Sequence, residues 1–384
     1  TVNLLSFDFG GSNPSAPTNV DEARQKAGFN CYDILSNYHI EGRMKINKPK
    51  FLLIPVAVSV LAIIGIAYYY FLSEFSCQQQ TAYVYIDDDD NMDSVLAKLK
   101  PIAYEHSMAG FSTLARHTRY AEAPRTGRFA INTGESTLEV LRKLKNGQQT
   151  AMMLTIPETR TMERLAGVLA HKLMLDSAEM AGKLRNEDFC RTYGYDTATI
   201  AALFVPNTYE VYWNTTPEHF MERMQHEHDA FWKGSRTEKA SAMDMTPTEV
   251  CTLASIIDEE TANNAEKPMI AGMYLNRLRQ HIPLQADPTV KFAMKHFELK
   301  RIYHDMLYFD SPYNTYRNEG LPPGPIKIAS VKGIDAVLNH VEHEYLYMCA
   351  KEDFSGTHNF AVTYQEHLKN AARYAKALNE RGIK

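Results

Sequence analysis

The sequence predicts an α+β protein carried on a single N-terminal membrane-spanning helix, with a region of βα units ahead of a larger mixed α+β domain. Three observations predict it. Residues 51–72 are one apolar run without a charge. Between 82 and 173 a strand, a polar turn and a short amphipathic helix recur three times. Residues 176–239 read mainly helical, and a sharply capped helix follows at 246–260. At 384 residues there is material for about two domains and an anchor. A hydrophobic content of 45% with 11% aromatics builds proper cores and argues against general disorder. The net charge is −5, with no Lys/Arg stripe interleaved with aromatics, so nucleic acid is not expected as a partner.

Taken in order, residues 1–43 are polar, with Gly10-Gly11, and Met44-Lys45 looks like a natural start. They are expected to be a disordered extension, either an over-long gene reading or a dispensable cytoplasmic tail. Residues 44–50 form a basic flank in which Lys45, Lys48 and Lys50 follow Arg43. Phe51 to Leu72 is long enough for the hydrocarbon core, which takes ~20 residues. Glu74 and Asp87 to Asp90 lie beyond it, so the positive-inside rule puts the N-terminus in the cytoplasm and the rest outside. Tyr68, Tyr69 and Tyr70 suit an interfacial belt. No A-x-A-like site follows the run, which speaks against a cleaved signal peptide, and Cys77 lacks the small residues a lipoprotein site wants.

The region 77–175 holds the three units. Ala82–Ile86 leads to a helix over Met92–Leu99, Arg128–Ile131 to one over Ser136–Leu144, and Met153–Ile156 to one over Thr161–Leu173. Ser136 and Glu139 have capping-box spacing. These units resemble LysM modules, which bind N-acetylglucosamine-containing glycans; the other reading makes them a spacer between membrane and site. Leu203–Tyr209 interrupts the helical stretch that follows, and Gly234–Met245 reads as a polar surface linker.

The next helix places the chemistry. Thr246 caps it, Pro247 suits the first position and Glu249 completes a capping box. Val250, Leu253, Ile257 and Glu260 fall on one inward stripe. Glu259 aligns with Thr252 and Ser255 on the expected wet side, and Asp258 lies beside Cys251 and Ala254. A carboxylate ending a buried stripe has its pKa raised by desolvation, which suits a general acid near neutral pH. The bland alternative is an ion pair with Arg277 or Arg279.

After Asp258-Glu259-Glu260-Thr261 come Tyr274-Leu275-Asn276-Arg277-Leu278, Leu284-Gln285-Ala286-Asp287-Pro288-Thr289, Ser311-Pro312-Tyr313-Asn314-Thr315-Tyr316 and Gly320-Leu321-Pro322-Pro323-Gly324-Pro325. Tyr345-Leu346-Tyr347 and His358-Asn359-Phe360 follow, then Thr363, Glu366 and His367. This ordered series, over roughly residues 44–384, resembles the MltG-type (YceG-like) endolytic murein transglycosylases. The resemblance implies a catalytic domain over 176–384 with Glu260 as its catalytic residue. It implies cleavage of the β-1,4 bond between N-acetylmuramic acid and N-acetylglucosamine, leaving 1,6-anhydro ends without water or cofactor. It further implies a single-pass inner-membrane protein with a periplasmic catalytic domain, acting on peptidoglycan glycan strands near the peptidoglycan synthases (penicillin-binding proteins).

Gln285, Asp287, Tyr313, Asn314, Thr315 and Tyr316 are the candidate substrate-binding residues. Amides bond sugar hydroxyls and aromatics stack on pyranose faces, with part of the set expected to fix the loop instead. Asp287-Pro288 reads equally well as a helix start. Departures from the family pattern are Ala202 for a glycine, Asn207 for an aspartate, and Ala329-Ser330 where Pro-Gly is common. His358, Glu366 and His367 match no zinc spacing, so no metal is expected. The five cysteines, Cys31, Cys77, Cys190, Cys251 and Cys349, show no paired spacing and read as free thiols, with one disulfide among the last four left open. Two other functions stay open: a muramidase using Asp287 as second carboxylate, and a non-catalytic glycan-binding scaffold.

Overall fold

The computed structural model describes residues 48–299 and 302–382. The expectations for residues 1–43, for Arg43 and Lys45 and for Cys31 lie outside them. Helix α1 (Lys48–Ala67) is followed by one wider turn, Tyr68–Leu72. It is long and apolar enough to cross a bilayer, and Leu53, Ile54, Leu61, Ile63 and Ile66 all stand exposed.

Beyond it, β1 (Ala82–Ile86) runs antiparallel to β2 (Gly127–Ile131), pairing Ala82 with Ile131 and Ile86 with Gly127. Between and after them come α2 (Met92–Leu99), α3 (Glu105–His117) and α4 (Thr137–Asn146). Alternation sends Val84, Ile86, Phe129 and Ile131 into one core with Phe75, Phe111, Val140 and Leu144. The Ser136–Glu139 capping box forms, and Gly147 closes α4 in the left-handed conformation. Helix α3 is an addition to the expected unit; its apolar positions are diluted by Ser107, Gly110, Ser112 and Thr113. Gly110 is required there, because a Cβ would lie 2.0 Å from the carbonyl oxygen of Tyr70.

The third unit leaves the series. Strand β3 (Met152–Thr155) pairs antiparallel with β4 (Thr208–Val211), Met152 opposite Val211, and not with β1 or β2. Helices α5 (Met162–Lys172), α6 (Ser177–Leu184), α7 (Glu187–Thr192) and α8 (Pro217–Trp232) build a second core with Leu154, Leu169, Phe204 and Phe220. The repeat is therefore one of sequence pattern, since strand–turn–helix periodicity does not say which strand is the partner. Asn207 serves the backbone: its side-chain oxygen accepts from Thr208 N at 2.8 Å and its carbonyl from Ile156 N at 2.9 Å.

The expected linker contains α9 (Ser235–Ala242), which buries Ala240. Helix α10 (Pro247–Glu260) has its Thr246–Glu249 capping box. Its expected wet face is not wet: Thr252 and Ser255 are 2% and 0% exposed. The Pro-rich segment crosses that face, and Ser255 Oγ accepts from Ile326 N at 3.0 Å. Helices α11 (Lys267–Arg279), α12 (Asp287–Met294) and α13 (Val331–Leu338) pack around α10. A hairpin of β5 (Tyr347–Ala350) and β6 (His358–Ala361) and the capped α14 (Tyr364–Glu380) complete the chain.

Candidate active site

Glu260 is the last residue of α10, so the buried helix delivers it to the wall of a cleft of about 320 Å³. Met273, Tyr274 and Arg277 of α11 form one side, Gln285, Asp287 and Tyr316 a second, and residues 347–350, His358, Tyr364 and His367 a third. The buried Tyr274 hydroxyl donates to Glu260 Oε1 at 2.8 Å. Burial pushes the Glu260 carboxyl up to about 7, reinforced by the Asp287 carboxylate, while the Tyr274 hydrogen bond and Lys291 pull the other way. Burial and the neighbouring carboxylate also hold the Tyr274 hydroxyl well above its usual range, so it stays a donor.

The ion-pair alternative for Glu260 does not occur among the described residues. Arg277, 6% exposed, spends its donors on Gln285 Oε1 at 2.5 Å, Pro283 O at 3.0 Å and Leu346 O at 3.0 Å. It ties α11 to the hairpin approach and fixes Gln285, whose φ is +53°. Asp287 is not the cap of α12. Ala286 takes that place without a side-chain bond, and Asp287 Oδ1 accepts from the Tyr316 hydroxyl at 2.7 Å. The result is one cleft holding a carboxyl that titrates near neutrality, a second carboxylate and several hydroxyl and amide groups. That set can donate a proton to, and take one from, a sugar.

A family model described as the YceG-like family matches residues 84–373. The chain belongs to the YceG-like family. It is similar to an endolytic murein transglycosylase of Bacillus subtilis (strain 168), 29% identical over 271 residues, covering 66% of this chain and 74% of the relative. An endolytic murein transglycosylase of Streptococcus pneumoniae serotype 2 is 25% identical over 297 residues, covering 70% of this chain and 53% of that one. The chain thus spans about half the length of the pneumococcal relative. A crystal structure of a yceG-like protein from Listeria monocytogenes shares the fold, with a TM-score of 0.51 at 23% identity over 76% of this chain and 99% of that one.

Within this YceG-like fold the candidate residues divide. Gln285, Asp287 and Tyr316 line the cleft with Glu260. Asn314 and Thr315 are 0% and 1% exposed and hold the loop. The Asn314 amide donates to Leu307 O and Phe309 O at 2.9 and 2.8 Å, and Thr315 Oγ1 accepts from Ala286 N at 3.0 Å. Tyr313 packs on Phe292, 4.8 Å between ring centres. None of these three lines the cleft.

The residues missed as site members are Tyr274, Arg277 and the far wall. His358 gives Nδ1 and its backbone N–H to Glu266, at 2.9 and 2.6 Å. Glu366 is spent in the capping box of α14, so His358, Glu366 and His367 do not form one ligand set. The one available signal was the ordered Tyr274–Arg277 segment on a helix after Glu260; the hairpin wall has no local signal. Glu259, expected on the wet side, is clamped by Arg160 at 2.6 Å and Lys327 at 3.4 Å. Asp258 is buried against Lys267 at 2.6 Å and accepts from Ser330 N and Oγ at 2.7 and 2.8 Å. Cys77, Cys190, Cys251 and Cys349 are free thiols.

Proposed function

We propose that this chain is an endolytic murein transglycosylase in which Glu260 alone serves as acid and then base. The supporting observation is a half-buried carboxyl with a pKa near 7, bonded by one hydroxyl and facing an open cleft. Protonated Glu260 donates to the glycosidic oxygen between N-acetylmuramic acid and N-acetylglucosamine, and the C1–O bond breaks. The carboxylate then takes the proton of the muramyl C6 hydroxyl as that oxygen closes on C1. A 1,6-anhydro ring forms, the proton count balances, and neither water nor a metal enters the step.

Glu260, Gln285, Asp287 and Tyr316 are assigned to the substrate cleft. The α1 helix is assigned as a bilayer anchor with the catalytic part on the periplasmic side, where it would release strands beside the peptidoglycan synthases. The LysM-like units up to α4 keep their two readings, a module that holds glycan and a spacer between membrane and cleft.

A muramidase stands as the second reading because Asp287 lies in the same cleft and is held by Tyr316. Mass spectrometry of the digestion products separates the two, since anhydro and reducing ends differ by one water. Anhydro ends are expected; reducing ends from the wild-type chain would transfer the assignment to the muramidase.

A further inference from the structure

A larger cleft, of about 540 Å³, opens at the α10 terminus beside Glu259. Arg160, Arg164 and Lys327 line it, with Glu158, Glu259 and the Phe297 ring. A narrow hollow lined by Arg160, Glu259, Pro288, Lys291 and Phe297 adjoins it. Glu259 and Glu260 are consecutive, as are Asp287 and Pro288, and neighbouring Cα atoms are ~3.8 Å apart. The Glu259–Glu260 segment therefore walls both clefts, and Asp287–Pro288 links the catalytic cleft to the narrow hollow.

The charge here runs against the rest of the molecule. Four basic side chains meet two carboxylates, in a chain whose net charge is −5. The two carboxylates are committed: Glu259 to Arg160 and Lys327, Glu158 to Lys327. Arg164 and Lys291 have no ion-pair partner among the described residues. Arg164 stands exposed in the first turn of α5, free to turn its guanidinium to an incoming anion.

We propose that this cleft binds the free carboxylates of the peptide stem that murein carries on its muramyl residues. This rests on the transglycosylase reading and adds what the substrate must bear. A stem leaves the sugar at the lactyl group, beside the bond that Glu260 addresses. An extended peptide covers ~3.3–3.6 Å per residue, so two or three residues carry a carboxylate from one cleft into the next. Arginine's planar fork matches a carboxylate bidentately, and such charge-assisted pairs are about twice as strong as neutral hydrogen bonds. The Phe297 ring offers the stem's aliphatic part an apolar wall.

The test uses the full-length chain in detergent with two substrates: glycan strands bearing stems, and the same strands stripped of stems by an amidase. The wild-type chain should show a kcat/KM roughly tenfold or more higher for stem-bearing strands, a ratio worth ~1.4 kcal/mol. Arg164→Glu should remove most of that preference and leave cleavage of stripped strands unchanged. Equal wild-type rates on both substrates, or an equal loss on both in Arg164→Glu, would overturn the assignment. If the wild-type chain cleaves neither substrate, the transglycosylase reading fails by itself. Calorimetry with the free tripeptide alanyl-γ-glutamyl-diaminopimelate then decides the cleft: binding that Arg164→Glu abolishes upholds it, and no binding to the wild type refutes it.

Discussion

Glu260 is where a helical pattern and a titration meet. The stripe Val250, Leu253, Ile257 and Glu260 was readable because a helix that buries its apolar residues turns whatever continues the row the same way, and Glu260 ends it half-buried. What the pattern could not tell was the donor, since Tyr274 reaches Glu260 from another helix. A carboxyl raised from 4.5 to about 7 must be protonated to act as the acid, so kcat/KM should fall about tenfold per pH unit above 7. A flat profile from pH 6 to 9 would remove Glu260 from that role. Linkage gives a second readout. The unfolded chain releases this proton near 4.5 and the folded chain near 7, so the group costs no stability below 4.5 and progressively more as pH rises through 7. Glu260→Gln should therefore abolish cleavage, a loss of ~10²–10⁴-fold or beyond, yet stabilise the fold at pH 8 by about 2–3 kcal/mol. That gain should vanish near pH 4, as denaturant melts at the two pH values would reveal. Tyr274→Phe removes the one bond holding the pKa down. Its basic limb should move to higher pH while kcat drops, and a limb moving lower would contradict the geometry.

At the scale of elements, Asp258 joins three of them. It sits in the last turn of α10, pairs with Lys267 of α11 and holds Ser330, the N-cap of α13. Both side chains of the pair are nearly closed to solvent, 7% and 2% exposed, so removing one charge strands the other. Breaking a buried pair typically costs ~3–5 kcal/mol. Asp258→Asn should approach that loss in denaturant unfolding, with any fall in activity following the loss of fold; wild-type stability would show the pair to be dispensable. Gly333 is tied to the same carboxylate, since a Cβ there would lie 2.5 Å from Asp258 Oδ1. The sequence placed Asp258 correctly beside Cys251 and Ala254 but carried no sign of Lys267 or Ser330, which arrive from 9 and 72 residues away. Locally encoded features were readable: the Ser136–Glu139 and Thr246–Glu249 capping boxes and the strands, read at 82–86 and 128–131 and observed at 82–86 and 127–131. Pairing was not, and β3 shows why, because its alternation fits β4 as well as it would fit β2.

For the whole molecule, the same division between local and distant information decides where the chain can be cut. From hydropathy alone a soluble form could begin near Gln78, just beyond the apolar run ending at Leu72. The fold argues for an earlier cut. Phe75 is 0% exposed and packs on Phe111, 5.9 Å between ring centres. Its N–H donates to Glu135 O and its carbonyl accepts from Tyr104 N, at 2.7 and 3.0 Å, while Ser76 bridges to Ala103. Residues 73–77 are thus an edge of the first core, although Ser73-Glu74-Phe75-Ser76-Cys77 carries a single large apolar residue and is too short to read as a strand. Deleting a buried phenylalanine side chain costs ~3–5 kcal/mol, a large part of the ~5–15 kcal/mol that holds a typical domain. A chain beginning at Ser73 should be soluble and melt cooperatively, whereas one beginning at Gln78 should melt many degrees lower in the region of β1 to α4 and expose apolar surface to a hydrophobic dye. Hydrogen exchange would localise the loss to Val84, Phe111 and Phe129. Equal protection of those amides in both chains would show that the first core holds without Phe75.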